Sequence, residues 1–126
     1  MIPRKIEQEL KSLSQEYPIV TLLGPRQAGK TTLVQKTFSQ KPYINLELPE
    51  LREIAELDPK ALIEKYPNGA IFDEIQRVPQ LLSYLQVEVD EKKQKGLYIL
   101  TGSHQLKLHQ AISQSLAGRT ALLTLY

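Results

Sequence analysis

The sequence predicts an α/β fold in which a parallel sheet is covered by helices on both faces. Apolar runs typical of buried strands alternate five times with segments that have helical periodicity. Residues 24–31, GPRQAGKT, follow the first apolar run and match the pattern G-x-x-x-x-G-K-[ST] of a phosphate-binding loop. Since helix-forming residues come next, this pattern has the strand–loop–helix context that it requires. A chain of 126 residues is long enough for one domain with one core.

The first elements are an amphipathic helix and a buried strand. The helix is predicted over residues 3–16, with Pro3 in its first turn, and we expect the segment 1–17 to pack on the sheet. Its apolar residues recur at helical spacing: Ile2, Ile6, Leu10 and Leu13. Residues 17–18, Tyr-Pro, end the helix, and the continuous apolar run 19–23 predicts a strand buried on both faces.

The remaining elements follow from the same periodicities and from the prolines and glycines between them. Further strands are predicted at 43–48, 70–72, 97–100 and 121–126. Helices are predicted from the phosphate loop to about 39, from 49, from 58, from 79 to about 93, and from about 105 to 116. Asp58 is the predicted N-cap of its helix, with Pro59 as the first helical residue.

Composition narrows the function only slightly. The hydrophobic content of 41% and the charged content of 24% are ordinary for a globular protein, and a net charge of +2 neither proposes nor excludes a nucleic-acid partner. A basic surface for nucleic acid is weakly supported, because no aromatic residues accompany the lysines in question: Lys92, Lys93, Lys95 and Lys107. The absence of cysteine excludes disulfides and thiolate chemistry and suits a cytoplasmic location. No apolar run approaches the ~18 residues of a membrane span, so no membrane partner is expected.

The phosphate-loop residues predict a nucleotide site. Glycines at 24 and 29 let backbone N–H groups approach phosphates closely, and the next helix points its N-terminus at the same anion. Lys30 is expected to reach the β- and γ-phosphates, and the Thr31 hydroxyl to bind Mg²⁺. Arg26 would either contact phosphate or brace the loop. The predicted ATP-binding residues are Gly24, Pro25, Arg26, Gln27, Ala28, Gly29, Lys30, Thr31 and Thr32. The alternative is a glycine-rich turn that matches the pattern by chance.

Two acids at the end of a later strand predict the second half of the site. Residues 70–74, Ala-Ile-Phe-Asp-Glu, come about 40 residues after the loop, with one predicted strand between. Asp73 in this position would hold the Mg²⁺ shell, and Glu74 could orient and deprotonate the attacking water. The alternative is a pair of solvent-exposed acids. Motifs of guanine-reading GTPases (N-K-x-D) and of transporter ATPases (L-S-G-G-Q) are missing from the sequence, which favours an ATPase with a glutamate base.

Four motifs follow one another along the chain: GPRQAGKTT at 24–32, IFDEIQRVPQLL at 71–82, LYILTGSHQL at 97–106 and SLAGR at 115–119. In this order they resemble the ATPase core of AAA+ proteins, specifically a large bacterial and archaeal group, and the resemblance covers nearly the whole chain. It implies a three-layer α/β/α P-loop fold with a five-stranded parallel sheet in the order 5-1-4-3-2. It also implies that a helical lid normally follows, which residues 1–126 are expected to lack, so that hydrolysis by this chain alone would be slow or absent.

The resemblance implies roles that spacing alone does not assign. Ser103, or else Thr101, would be the sensor-1 residue that hydrogen-bonds the γ-phosphate or the attacking water, although either could instead cap the next helix. Arg119 would reach the γ-phosphate of a neighbouring copy in a homo-oligomer; the alternative is a surface ion pair. His104 and His109 are poorly spaced for one helix face, so no metal site is predicted there.

The main functional prediction is Mg²⁺-dependent binding and hydrolysis of ATP by a single AAA+ core. Its predicted catalytic residues are Lys30, Glu74, Ser103 and Arg119, and its predicted metal ligands are Thr31 and Asp73. Because of the expected lack of a lid, the alternative is a nucleotide-binding interaction module with little or no catalysis, acting with an unknown protein partner. A small-molecule phosphotransferase is a further alternative, for which the sequence shows no acceptor site.

Overall fold

The computed structural model describes residues 4–126, except for the side chain of Gln27. The predicted parts of the first helix at Ile2 and Pro3 lie outside the described residues. The helices are α1 (Arg4–Ser14), α2 (Lys30–Thr37), α3 (Pro49–Leu57), α4 (Pro59–Glu64), α5 (Leu81–Lys92) and α6 (Leu106–Leu116). The strands are β1 (Ile19–Leu23), β2 (Tyr43–Asn45), β3 (Ala70–Asp73), β4 (Tyr98–Gly102) and β5 (Thr120–Thr124). Two short 3₁₀ turns lie at Arg26–Ala28 and Ile75–Arg77.

The five strands form one parallel sheet in the order β2-β3-β4-β1-β5. This is the predicted order 5-1-4-3-2 read from the other edge, so the fold prediction is confirmed. Because the strands are parallel, their carboxyl ends lie on the same side of the sheet. There Leu23 of β1 lies between Gly102 of β4 and Thr124 of β5. The phosphate-loop pattern and the Asp-Glu pair therefore emerge at the same edge.

Helices cover both faces of the sheet. On one face Leu10 of α1 and Leu33 of α2 pack with Val20 and Leu22 of β1. On the other face α3 to α6 pack against a larger cluster that includes Ile19, Phe72 and Leu100. All five residues of β1 are buried, with alternate side chains entering opposite clusters, which agrees with the predicted strand buried on both faces. Among residues 4–126, no helix is long and apolar enough to cross a membrane.

Several predicted boundaries were wrong. The first helix, predicted to reach residue 16, ends at Ser14, and the last strand, predicted over 121–126, runs from Thr120 to Thr124. At three further boundaries hydrogen bonding overrides the apolar pattern. The strand predicted over 43–48 ends at Asn45, since the Asn45 side chain accepts from the Glu47 N–H at 3.0 Å and turns the chain. The helix predicted from Pro79 begins at Leu81. Before it, the N–H groups of Leu81 and Leu82 donate to the carbonyls of Val78 and Pro79, three residues earlier, and form turns. The strand predicted over 97–100 runs instead from Tyr98 to Gly102, where Thr101 and Gly102 continue the pairing with β1.

Candidate functional site

The loop between β1 and α2 is built around two glycines with different requirements. Gly29 has a φ of 81°, in the left-handed region that favours glycine, and it joins the 3₁₀ turn to α2. Gly24 is constrained by space, because a Cβ there would lie 3.0 Å from the carbonyl oxygen of Leu125. The first N–H groups of α2, which begins at Lys30, have no partner within the helix and are suited to bind an anion.

Lys30 lies against this loop. Its side chain is buried, and Nζ donates to the carbonyl oxygens of Gly24 at 2.9 Å and Pro25 at 3.0 Å. A lysine ammonium has three donors, so one remains for an oxygen of a bound phosphate. The loop carbonyls thus hold the Lys30 ammonium group in place, and this arrangement is suited to binding a polyphosphate.

Asp73 is surrounded by hydroxyl groups. The residue is 3% exposed, and its carboxylate accepts from Thr31 at 2.9 Å, from Tyr43 and from Thr101. These donors come from α2, β2 and β4, all of which lie next to the end of β3. Together they compensate for the burial of a charged group and hold it in one orientation.

Tyr43 is a site residue that sequence reasoning missed. Burial, followed by the hydrogen bond to Asp73, raises the pKa of Tyr43 far above its ordinary value. A tyrosine is protonated at neutral pH in any case, and the raised pKa lets this phenol keep its proton and its bond to the carboxylate at more alkaline pH. The sequence marks Tyr43 only as the first residue of a strand, and nothing local signals a contact with a residue 30 positions away.

Thr31 and Asp73, the two predicted metal ligands, are brought together by the fold. A hydroxyl and a carboxylate 2.9 Å apart form the oxygen donor set that Mg²⁺ prefers, so these residues fit the ion. No group of three or more histidine, cysteine, aspartate or glutamate side chains within residues 4–126 could hold a metal. An ion here would thus share its coordination with water and substrate phosphate, as Mg²⁺ usually does.

Glu74 is held in a fixed position beside Asp73. It is 5% exposed and has a φ of 63°, an unusual conformation for a residue other than glycine, at a cost of roughly 1–2 kcal/mol. Its N–H donates to Thr101 Oγ1 at 3.0 Å, and its Oε1 accepts from Gln76 Nε2 at 2.8 Å. The alternative of two solvent-exposed acids is wrong, because both Asp73 and Glu74 are buried.

Thr101 and Ser103, the two sensor candidates, have different surroundings. Thr101 is fully buried and bonded to both Asp73 and the Glu74 backbone, so it belongs to the scaffold of the acids. The Ser103 hydroxyl is buried and has no hydrogen-bond partner within the described part of the chain. Neither residue caps α6, whose N-cap position is Gln105 without a side-chain cap bond, so the capping alternative is wrong.

A cavity of about 350 Å³ lies beside Glu74. It is lined by Arg26, Glu74, Gln76, Arg77, Ser103 and Gln105. The two arginines both pair with Glu47, at 2.6 Å for Arg26 and 3.4 Å for Arg77. Arg26 therefore braces the loop against the β2–α3 turn, which is one of its two predicted roles.

Arg119 lies at the amino-terminal ends of the strands, opposite the end where the phosphate loop lies. Its carbonyl accepts from Ile19 N–H at the start of β1, whereas the phosphate loop follows the end of β1. Its guanidinium makes two 2.8 Å bonds to Asp90, which raise the pKa of Arg119 and lower the pKa of Asp90. Within one copy the structure thus shows the surface ion pair, and Arg119 is separated from the site formed by Lys30, Asp73 and Glu74.

Comparison with known proteins identifies the class. Residues 16–126 match the family model AAA_14, an AAA domain, and the chain belongs to this family. The Walker-type ATPase PABY2304 of Pyrococcus abyssi has the same fold, with a TM-score of 0.63 and 20% identity over 100% of this chain and 54% of that chain. The predicted AAA-like P-loop core is therefore confirmed, and family membership supports nucleotide binding.

Two mycobacterial proteins are more similar in sequence. They are the uncharacterized proteins Rv2008c of Mycobacterium tuberculosis and Mb2031c of Mycobacterium bovis, each 32% identical over 123 residues. The matched region is 97% of this chain and 28% of each relative. The chain thus spans little more than a quarter of the length of these relatives.

Proposed function

We propose that this domain binds ATP together with Mg²⁺ and hydrolyses the terminal phosphate. The observation that carries the proposal is the meeting of three groups at one sheet edge: the phosphate loop with Lys30, the bonded pair Thr31–Asp73, and the buried Glu74. Membership of an AAA domain family supports the nucleotide part. Mg²⁺ dependence and hydrolysis are inferred from the chemistry of the side chains.

Each residue of the site has its own role in the proposed reaction. Lys30 and the N–H groups at the start of α2 bind the phosphate oxygens and stabilise charge that develops on them. Mg²⁺, held through Thr31 and Asp73, supplies neutralisation of the β- and γ-phosphate charge when bound. Glu74 accepts a proton from water as the water oxygen bonds to the γ-phosphorus and the bond to the bridging oxygen breaks, which releases ADP and phosphate. Ser103 donates its unpaired hydroxyl to the γ-phosphate.

Arg119 enters this proposal only through assembly. We propose that it serves the site of a neighbouring copy, because in its own chain it lies at the opposite edge of the sheet. A specific activity that rises with protein concentration, and that Arg119→Ala makes independent of concentration, is the expected result. An unchanged concentration dependence in Arg119→Ala would contradict this part.

Substituting Glu74→Gln tests the hydrolytic step. The variant keeps the size of the side chain but removes the proton acceptor, so phosphate release should fall by about 10²–10⁴-fold. ATP affinity measured by calorimetry should stay within about threefold, which is about 0.7 kcal/mol. Glu91→Gln, on the exposed surface of α5, is the matched control. Full turnover in Glu74→Gln would contradict the mechanism, and ATP binding without phosphate release by the unsubstituted chain would favour the interaction module.

Substituting Lys30→Ala tests the binding step. Loss of one charge-assisted hydrogen bond is worth about 1.5–3 kcal/mol, so ATP affinity should fall by about 10- to 100-fold or beyond detection. Lys36→Ala is the control, because Lys36 lies on the same helix, exposed and 3.8 Å from Glu7. Melting temperatures of both variants separate lost affinity from lost folding. Unchanged affinity in Lys30→Ala would contradict the assigned nucleotide site.

A further inference from the structure

We infer that Gln76 is a positioning residue that holds the Glu74 carboxylate and ties it to the end of β4. The inference rests on the proposed hydrolysis, in which Glu74 is the base, and it assigns to Gln76 a role that neither its motif nor its position in the sequence indicates. Gln76 touches no reacting atom in this scheme and acts only through Glu74.

The side-chain amide of Gln76 is used at both ends. Its Nε2 donates to Glu74 Oε1 at 2.8 Å, and its Oε1 accepts from the Ser103 backbone N–H at 3.3 Å. A carboxylate can only accept and a backbone N–H can only donate, so the reversed amide would lose both bonds. The network therefore determines the orientation of the amide and, through it, the position of the Glu74 carboxylate.

The chain around Gln76 is shaped to allow this contact. A Cβ at Gly102 would lie 3.1 Å from Gln76 Oε1 and 2.6 Å from a methyl group of Leu108, so the glycine leaves room for the amide. The neighbouring residue Ile75 is fully buried and anchors the 3₁₀ turn that carries Gln76. The amide is thus held by the fold as well as by its hydrogen bonds.

The bond from Gln76 uses only one oxygen of the base. Within the part of the chain that the structure describes, the hydrogen bond to the Glu74 carboxylate is made at Oε1, which leaves Oε2 to accept a proton from water. Both Glu74 and Gln76 line the cavity of about 350 Å³ into which an attacking water would fit. General-base catalysis requires this arrangement, in which one oxygen of the Glu74 carboxylate is held and the other is available to accept a proton.

Gln76 also connects the base to the proposed sensor. Ser103, whose N–H bonds Gln76, also lines this cavity, and its buried hydroxyl has no partner among residues 4–126. If a bound γ-phosphate displaced Ser103, the movement would be transmitted to Glu74 through the side chain of Gln76. Loss of Gln76 should therefore reduce turnover and leave the affinity for ATP nearly unchanged.

The test uses two variants and one control. Gln76→Met has similar length and no amide, whereas Gln76→Glu keeps an acceptor for the Ser103 N–H but places a like charge against Glu74. Gln80→Met makes the same chemical change at an exposed residue outside the cavity. Each is measured for kcat and KM of phosphate release, for ATP affinity by calorimetry, and for melting temperature. Both Gln76 variants should lower kcat at least about tenfold, with ATP affinity within about threefold, and the control should match the unsubstituted chain.

The possible results separate this inference from the proposed function. A kcat within about twofold of the unsubstituted chain in Gln76→Met, with Glu74→Gln inactive, would overturn the role of Gln76 alone. Parallel losses of ATP affinity and kcat would also overturn it, because they indicate a binding or folding role. If Gln76→Met does not fold, Gln76→Glu decides by the same criteria. Absence of turnover in the unsubstituted chain would overturn the proposed hydrolysis and this inference with it.

Discussion

Single hydroxyl groups determine how the acids of this site are held. The carboxylate of Asp73 accepts from Thr31, Tyr43 and Thr101, and the last of these also accepts from the backbone of Glu74. Thr101 thus joins the two acids on its buried side. Ser103, two residues later, bonds neither acid through its hydroxyl, so the two sensor candidates have separable effects.

Substitutions at these two positions should distinguish scaffold from sensor. Thr101→Val leaves a buried acceptor and a buried N–H unpaired and should cost about 1–3 kcal/mol of unfolding free energy, whereas Thr101→Ser retains the hydroxyl. Ser103→Ala should change stability by less than about 0.5 kcal/mol, because its hydroxyl has no partner among residues 4–126, yet it should lower phosphate release. Urea unfolding and phosphate release are the measurements. Equal stability losses in Thr101→Val and Ser103→Ala would contradict the assignment.

At the scale of elements, caps and turns determine where helices begin and strands end. The chain passes from α3 to α4 at Asp58, whose side chain accepts from the Ala61 N–H at 3.1 Å, as its pattern predicts. Pro59 then takes the first helical position, where its missing N–H costs nothing. Polar side chains thus position α4 even though it is only six residues long.

Removal of this cap gives a prediction about the element alone. Asp58→Ala should lower the unfolding free energy by about 1 kcal/mol, since the Ala61 N–H loses its acceptor, and Asp58→Asn should lower it much less. Urea unfolding of both variants is the measurement. ATP affinity should not change, because Asp58 contacts none of the site residues described above. A loss of affinity in Asp58→Ala would show that α4 contributes to the nucleotide site.

At the scale of the whole molecule, the buried Tyr98 and the partly buried Tyr43 make stability sensitive to alkaline pH. Burial raises the pKa of Tyr43 and, together with the charge of Glu88, the pKa of Tyr98. The folded chain therefore keeps phenol protons that the unfolded chain loses near pH ~10. Their contribution to stability is fully present below that pH and is lost as the pH rises toward the folded-state values.

The tyrosine Tyr98 offers a clean test of this dependence. Its ring packs 5.9 Å from Phe72, and its buried hydroxyl has no partner in residues 4–126, so Tyr98→Phe should change stability by only about 0–1 kcal/mol near pH 8. From about pH 10 upward, the stability of Tyr98→Phe should fall less steeply than that of the unsubstituted chain, by up to about 1.4 kcal/mol per pH unit. Tyr84→Phe, at an exposed tyrosine, is the control for urea unfolding over this range. Identical slopes in all three proteins would contradict the burial effect.

The sequence by itself determined the fold class, the succession of elements, the phosphate loop and the Asp73–Glu74 pair. These features are local: a strand or helix shows in the period of its apolar residues, and a loop that approaches phosphates needs glycines and a lysine at short, defined intervals. The strand order, which the structure confirms, was predicted only from the resemblance of the four motifs to a known family.

Only the tertiary structure decided which side chains meet at the ends of the strands. Tyr43 and Thr101 reach Asp73 because β2 and β4 are the neighbours of β3, and Gln76 reaches Ser103 because β4 ends beside the 3₁₀ turn. Arg119 lies at the amino-terminal ends of the strands because it precedes β5, which runs parallel to β1. Such contacts depend on strand order and register, which here bring together residues 27 to 30 positions apart, and no local pattern of residues contains that information.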